Sequence, residues 1–267
     1  MKKMMTALAA VTMAMGMTAC SETAETEAVA EAGGLAGTWR VNLDTAEFEN
    51  DTRNFTLADG QFQCDSCNPP YGYAADGEWQ TVDRPGADGQ KIEIVDENTV
   101  RFSSRLGDKE MGGAVWTVSE DGQSATAEWT DLGGDTPVTG TTKFTRTAAG
   151  AEGSHAVSGE WAVSDVADIN EEGLAFTYAI DGETLTSSDN GGSWTATFGG
   201  EPVAIEGSES NVMVAVERLG ENSIRETYSR DGETLSSTDI TIDGDTLSGV
   251  STAARDGSVV RWTATRQ

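Results

Sequence analysis

Apolar and polar residues alternate along most of this chain in short runs of β period. Trp39, Val41 and Leu43 alternate with polar neighbours, as do Phe55 and Leu57, so each run has one face to bury. Asp59-Gly60 then predicts a two-residue hairpin turn, because glycine accepts positive φ, and Gln61 to Cys64 is the return strand. After Pro69-Pro70 the pattern predicts strands at Trp79 to Val82, Ile92 and Ile94, Val100 and Phe102, Ala114 to Val118, Ala125 to Trp129, and Val138 to Thr145. Eight or nine short strands with turn residues between them predict an antiparallel barrel or sandwich. Helical signals are nearly absent.

The pattern is then written a second time. Gly37-Thr38-Trp39-Arg40-Val41-Asn42 is echoed by Gly159-Glu160-Trp161-Ala162-Val163-Ser164. Phe176-Thr177-Tyr178-Ala179 answers Phe55-Thr56-Leu57-Ala58, and Asp181-Gly182 answers Asp59-Gly60. Gly200-Glu201 answers Gly77-Glu78, Glu221-Asn222-Ser223-Ile224 answers Glu97-Asn98-Thr99-Val100, Asp243-Gly244 answers Asp121-Gly122, and Arg261-Trp262-Thr263 answers Lys143-Phe144-Thr145. The competing explanation is that all β-meanders share Asp-Gly turns, but correspondences in unbroken order favour an internal repeat. The expected organisation is a body segment over 37–147, a small-residue linker over 148–156, and a second body segment over 157–267. A small open sheet exposes unpaired edge groups, so each segment is expected to close on itself as a barrel.

Before the body lie two segments of another kind. Lys2 and Lys3 precede a short apolar run from Met4 to Met17 that ends in Met17-Thr18-Ala19-Cys20. This resembles a bacterial lipoprotein signal over 1–19, which implies that Cys20 becomes the lipidated N-terminal residue; the alternative is an ordinary secretory signal cleaved nearby. Ser21 after that cysteine implies the outer membrane by the same resemblance. Residues 20–36 lack aromatics and are rich in Ala, Glu, Thr and Gly, an acidic flexible tether. The expected contact with the membrane is therefore through the lipid anchor.

Charge narrows the partners. The chain carries −28 at neutral pH, and losing Lys2 and Lys3 with the signal brings it to about −30. Such a surface repels phosphate backbones, so nucleic acid is not an expected partner.

Gly-Thr-Trp-x-x-Asn near the start, Trp194-Thr195-Ala196-Thr197 through Gly200 to Val203, Glu221 to Thr227, and Val118 to Gly122 resemble a group of uncharacterised bacterial exported proteins with a lipocalin-like β-barrel. The resemblance covers most of both segments and implies two tandem, small, antiparallel lipocalin-like barrels in an all-β chain. It implies no activity. It also gives Trp39 and Trp161 the role of tryptophans that plug one end of each barrel. The second segment departs from it in having Ser164 where Asn42 stands, and in lacking cysteines.

Candidate chemistry is sparse. Cys64-Asp65-Ser66-Cys67 has four readings outside the cytoplasm: a local structural disulfide, a redox pair, half of a metal site, or free thiols. The compartment favours the disulfide. A redox pair usually draws on a helix N-terminus, which is not signalled, and a metal would need two further ligands. His155, the sole histidine, sits in the linker and offers no readable triad. Carboxylates are abundant, yet none stands out as a catalytic pair. The acidic turns Asp131 to Asp135 and Asp239 to Asp245 lack calcium-loop spacing and are explained by turn chemistry. No catalytic residue, metal site or cofactor is therefore assigned.

The expected function is that of a non-enzymatic, lipid-anchored envelope protein whose barrels bind a small apolar ligand or an envelope protein. A cavity of roughly 300 Å3 or more would support the ligand version, and interiors filled by Trp79, Phe102, Trp116, Trp129 and their counterparts would remove it. The alternatives are a protease-inhibitor-like lipoprotein and a structural spacer at the envelope or cell surface.

Overall fold

The structure, a computed structural model, describes residues 34–267 except Asn68, Pro85 and Glu209. The signal, most of the tether and the lipidation site Cys20 lie outside the described residues. The body from Gly33 to Gln267 is one compact unit.

Twenty strands make up 68% of it, with almost no helix. The first half contributes β1 (Gly37–Glu49), β2 (Thr52–Ala58), β3 (Gln61–Cys64), β4 (Tyr71–Ala74), β5 (Gln80–Arg84), β6 (Ala87–Ile94), β7 (Thr99–Leu106), β8 (Lys109–Val118), β9 (Ser124–Asp131) and β10 (Val138–Ala149). The second contributes β11 (Gly159–Ile169), β12 (Ala175–Asp181), β13 (Thr184–Asp189), β14 (Gly192–Thr197), β15 (Val203–Ala204), β16 (Val212–Gly220), β17 (Ser223–Arg230), β18 (Glu233–Asp243), β19 (Thr246–Ala253) and β20 (Val259–Arg266). A single 3-10 turn, Glu171–Gly173, precedes β12.

The strands form two ten-stranded antiparallel sheets, each curled into a nearly closed barrel. In the first, Gly77 N donates to Ile92 O at 2.9 Å and Asp76 bridges Glu93, which brings the chain after β4 against β6. In the second, the Ser193–Glu206 bridge and Gly199 N donating to Val216 O at 2.8 Å do the same for β14 against β15 and β16. Closure leaves few unpaired edge groups. Ten strands per barrel exceeds the eight or nine read from the pattern. The strand the pattern missed is β4, whose Tyr71-Gly72-Tyr73-Ala74 directly follows two prolines.

Sheet membership corrects the expected division into 37–147 and 157–267. The first barrel runs in the order β4-β3-β2-β11-β10-β9-β8-β7-β6-β5, and the second in the order β14-β13-β12-β1-β20-β19-β18-β17-β16-β15. Each half has handed its opening strand to the other. β11 pairs with β2 from Gly159↔Phe55 to Ala162↔Thr52 and with β10 along its whole length. β1 pairs with β12 from Gly37↔Tyr178 to Arg40↔Ala175 and with β20 from Trp39↔Arg266 to Glu49↔Val259. Two symmetric hydrogen bonds mark the crossing points: Val41 N donates to Leu174 O, and Val163 N to Asp51 O, both at 2.9 Å.

Each barrel encloses its own core. Phe55, Leu57, Phe62, Ile92, Val100, Trp116, Phe144 and Trp161 fill the first. Trp39, Tyr178, Leu185, Trp194, Val214, Ile224, Ile240 and Leu247 are among those that fill the second. Phe48, near the far end of β1, packs against the first core although Trp39 on the same strand belongs to the second. The barrels are also tied by loops. Asn190 Nδ2 donates to Thr136 O and Thr136 Oγ1 donates to Asn190 Oδ1, each at 2.7 Å, and Arg230 pairs with Asp83.

Residues 148–156, expected to be a flexible linker, are pinned, the first two within β10. His155 N donates to Leu57 O at 2.8 Å. Its Nδ1 accepts from Val157 N at 3.1 Å, so the proton sits on Nε2, which lies 2.7 Å from Asp96 O and donates to it.

Candidate functional site

The two opening tryptophans are both fully buried, Trp161 in the first barrel and Trp39 in the second. Each indole Nε1 donates to a carbonyl four residues earlier, Trp39 to Leu35 O at 2.8 Å and Trp161 to Val157 O at 2.9 Å. An arginine from the neighbouring strand covers each ring: Arg266 lies 4.2 Å from the Trp39 centroid and Arg146 lies 3.9 Å from that of Trp161. The guanidinium of Arg146 also donates to Ser158 O and Ala156 O, both at 2.6 Å, and Arg266 reaches Ala36 O and Gly34 O in the same way. Cation–π contact over a desolvated indole, plus two carbonyl acceptors, seals this end of each barrel. Sequence reasoning did not single out these arginines. The signal for them was Thr145-Arg146 recurring as Thr265-Arg266 in the last strand of each half.

Cys64 and Cys67 are joined by a disulfide, with their Cα atoms 5.5 Å apart. They stand at the β3–β4 connection, where Cys64 and Tyr71 are cross-strand partners around residues 65–70. At the matching place in the second half, Asp189 pairs with Gly192 around only Asn190-Gly191. The staple occurs where the turn is long.

The first barrel's interior is packed with aromatic rings. Phe55 contacts Phe62 and Trp116 with ring centroids 5.4 and 5.2 Å apart, and Trp116 sits 4.1 Å from Phe144. Phe102 closes on Phe62 at 5.2 Å. Two of the expected interior tryptophans serve elsewhere. Trp79 is flanked by Arg105 and Lys91, whose charges lie 4.7 and 5.2 Å from its ring, and Trp129 leans over Gly140 and donates to Thr142 Oγ1 at 3.2 Å.

Above this packed interior a cleft of about 450 Å3 opens at the barrel mouth. Its walls are Arg84, Gly86, Ser104, Met111, Gly113, Thr130 and Asp131 from the first barrel, with Gly191, Ser208 and Ser210 from the second. Glycine is required at Gly113, where a Cβ would sit 2.1 Å from Phe102 O. Asp131 Oδ1 accepts from Gly133 N at 2.7 Å, which is ordinary turn chemistry.

Arg84 heads a polar cluster on the wall. Its guanidinium lies 4.6 Å from the centre of the Tyr71 ring, and Tyr71 stacks on Tyr73 at 5.0 Å. Arg84 Nη1 donates to Gln90 Oε1 at 2.8 Å, and the Tyr73 hydroxyl donates to the same oxygen. Gln90 is buried, and burial pushes the Tyr73 phenol well above its ordinary range.

The second barrel holds a different polar group. Glu226 is buried and clasped by two phenols, Tyr178 donating to Oε1 at 2.5 Å and Tyr228 to Oε2 at 2.9 Å. Burial raises the Glu226 carboxyl pKa, while the two phenolic donors act the other way. Neither cluster was legible as a site in the sequence. Among the described residues, no group of three or more His, Cys, Asp and Glu side chains is arranged to hold a metal ion. No family model, curated protein or solved structure matches the chain.

Proposed function

We propose that this chain is a non-enzymatic binding protein of the cell envelope, held to the outer membrane by a lipid on Cys20, that takes a small ligand in the cleft at the mouth of its first barrel. One observation carries the reading. Ser104 lines that cleft, whereas the position matching it in the second barrel is Tyr228, a far larger side chain that packs against the second core and reaches Glu226. The match follows from the ladders: Gln90↔Ser104 corresponds to Val214↔Tyr228, just as Gly77 N to Ile92 O corresponds to Gly199 N to Val216 O. One copy of a duplicated frame is open where the other is shut, in the size range of small-molecule sites. The expected apolar ligand inside the barrel gives way to one seated above the aromatic core, on walls of mixed polarity. Against an acid–base role, both ring nitrogens of His155 are already engaged with backbone groups.

A spacer role draws on one feature, the second barrel, whose Tyr228 closes the matching mouth and which the exchanged strands lock to the first. Native mass spectrometry of full-length protein from its own envelope separates the readings. The expected result is a small molecule retained by wild type and lost from Ser104→Tyr, with diacylglyceryl mass on Cys20. Identical spectra for the two proteins would leave the spacer standing, and an unmodified Cys20 would remove the anchor.

A further inference from the structure

We infer that the ligand of the first-barrel cleft carries an oxyanion head, a carboxylate or a phosphate, held by Arg84; this rests on the cleft being the binding site. Gln90 Oε1 accepts from both Arg84 Nη1 and the Tyr73 hydroxyl, which uses both its lone pairs. Arg84 Nε is buried and has no hydrogen-bond partner among the described residues. Trp116 Nε1 and Arg230 Nε share that condition, but of the three only Arg84 lines the cleft, where an acceptor can arrive from outside. Of the guanidinium's five N–H donors, the Nη1 bond to Gln90 is the one made at normal geometry among the described residues.

Neutralisation points the same way. Eleven ion pairs occur among the described residues, and none includes Arg84. The chain has 45 acidic residues against 17 basic ones, yet Arg84, like Arg105, Arg146 and Arg218, has no carboxylate partner among the described residues, and of these four it alone lines the cleft. Asp131 shares the cleft, but its Oδ1 is held by Gly133 N. The Tyr71 face that supports the guanidinium fixes the plane of its N–H fork, which is the geometry for bidentate oxyanion capture. Thr130 on the same wall offers a further hydroxyl donor, while the Ser104 hydroxyl is given to Gly112 O and those of Ser208 and Ser210 are joined to each other.

Calorimetric titration of the full chain with hexanoate, hexyl phosphate and hexanol tests this. Hexanoate or hexyl phosphate is expected to bind at least tenfold more tightly than hexanol, and the tighter of the two identifies the head. Arg84→Gln, which keeps a planar amide but no charge or fork, is expected to abolish that preference, and Arg84→Lys to restore part of it. Ser104→Tyr is expected to remove binding of all three. Hexanol binding as tightly as both anions, or Arg84→Gln binding the anions like wild type, would overturn the oxyanion head; loss of binding in Ser104→Tyr would still support the cleft. Failure of all three probes to bind wild type would overturn the head assignment, leaving the cleft to the co-purification result. Thermal melts of each variant show whether a loss of binding is a loss of fold.

Discussion

The two barrels have one frame and opposite interiors. In the first, β6 and β7 place the buried amide of Gln90 beside Ser104, with Phe102 two residues before it, and the mouth is open. In the second, the matching positions are Val214, Tyr228 and Glu226, and the polar group lies inside with a phenol closing over it. The tryptophan of the last hairpin in each half has changed strands as well. Trp129 faces Gly140 and bonds Thr142 in the first barrel, whereas Trp262 faces Gly249 and lies 3.4 Å from Ser251 Oγ in the second. A duplicated sheet thus tolerates exchanges of large for small and polar for apolar when the partner across the strand changes in the opposite sense. Packed interiors are conserved in volume before they are conserved in residue.

Five measurements would break or sharpen this comparison. The largest effect is expected from the exchanged strands. Trp39→Ala should cost about 3–5 kcal/mol, the range for truncating a buried aromatic. Amide exchange should then rise in β12 to β20 and leave β2 to β10 protected, although Trp39 belongs to the first half; the opposite pattern would mean that each half keeps its own strand. Next in size is Tyr228→Ser, expected to cost about 2–4 kcal/mol in a urea melt, because it empties a ring's volume and strips one donor from buried Glu226. Ser104→Tyr should cost less than about 1.5 kcal/mol, since the cleft has room for the ring.

Reducing the Cys64–Cys67 bond should lower stability by about 2 kcal/mol, the loop-closure value for so short a ring. Exchange should increase in β3 and β4 and not in β13 and β14, whose turn needs no staple. The smallest effect is a slope with pH. Because the folded-state pKa of Glu226 is raised, its favourable contribution is complete below the unfolded pKa and is lost as pH rises through the folded one. Glu226→Gln stays neutral throughout, so its melting temperature relative to wild type should climb from acid toward neutral pH. A difference that stays flat would mean that the carboxyl is as well solvated as an exposed one.

Much of the fold was legible along the chain. Alternation at Trp39, Phe55, Val100 and Trp116 marked strands and inward faces, and Asp-Gly pairs marked hairpins, because period and turn chemistry are local properties. The site was far less legible. Arg84 and Glu226 occupy positions that read as surface charge in so acidic a chain, and only burial sets them apart. The cleft could not be read either. Its walls join Ser104, Thr130 and Ser208, which come together through pairings remote in sequence.

The amino-acid sequence by itself determined that this is a β-chain written twice, with a buried tryptophan opening each copy. Only the tertiary structure decided which barrel each opening strand completes. Trp39 and Trp161 present the same ring, the same carbonyl acceptor four residues back and the same covering arginine, so either strand satisfies either barrel. Backbone N–H and C=O groups recognise a strand's geometry and not its address, and the way β1 and β11 run on across the boundary settles what their side chains leave open.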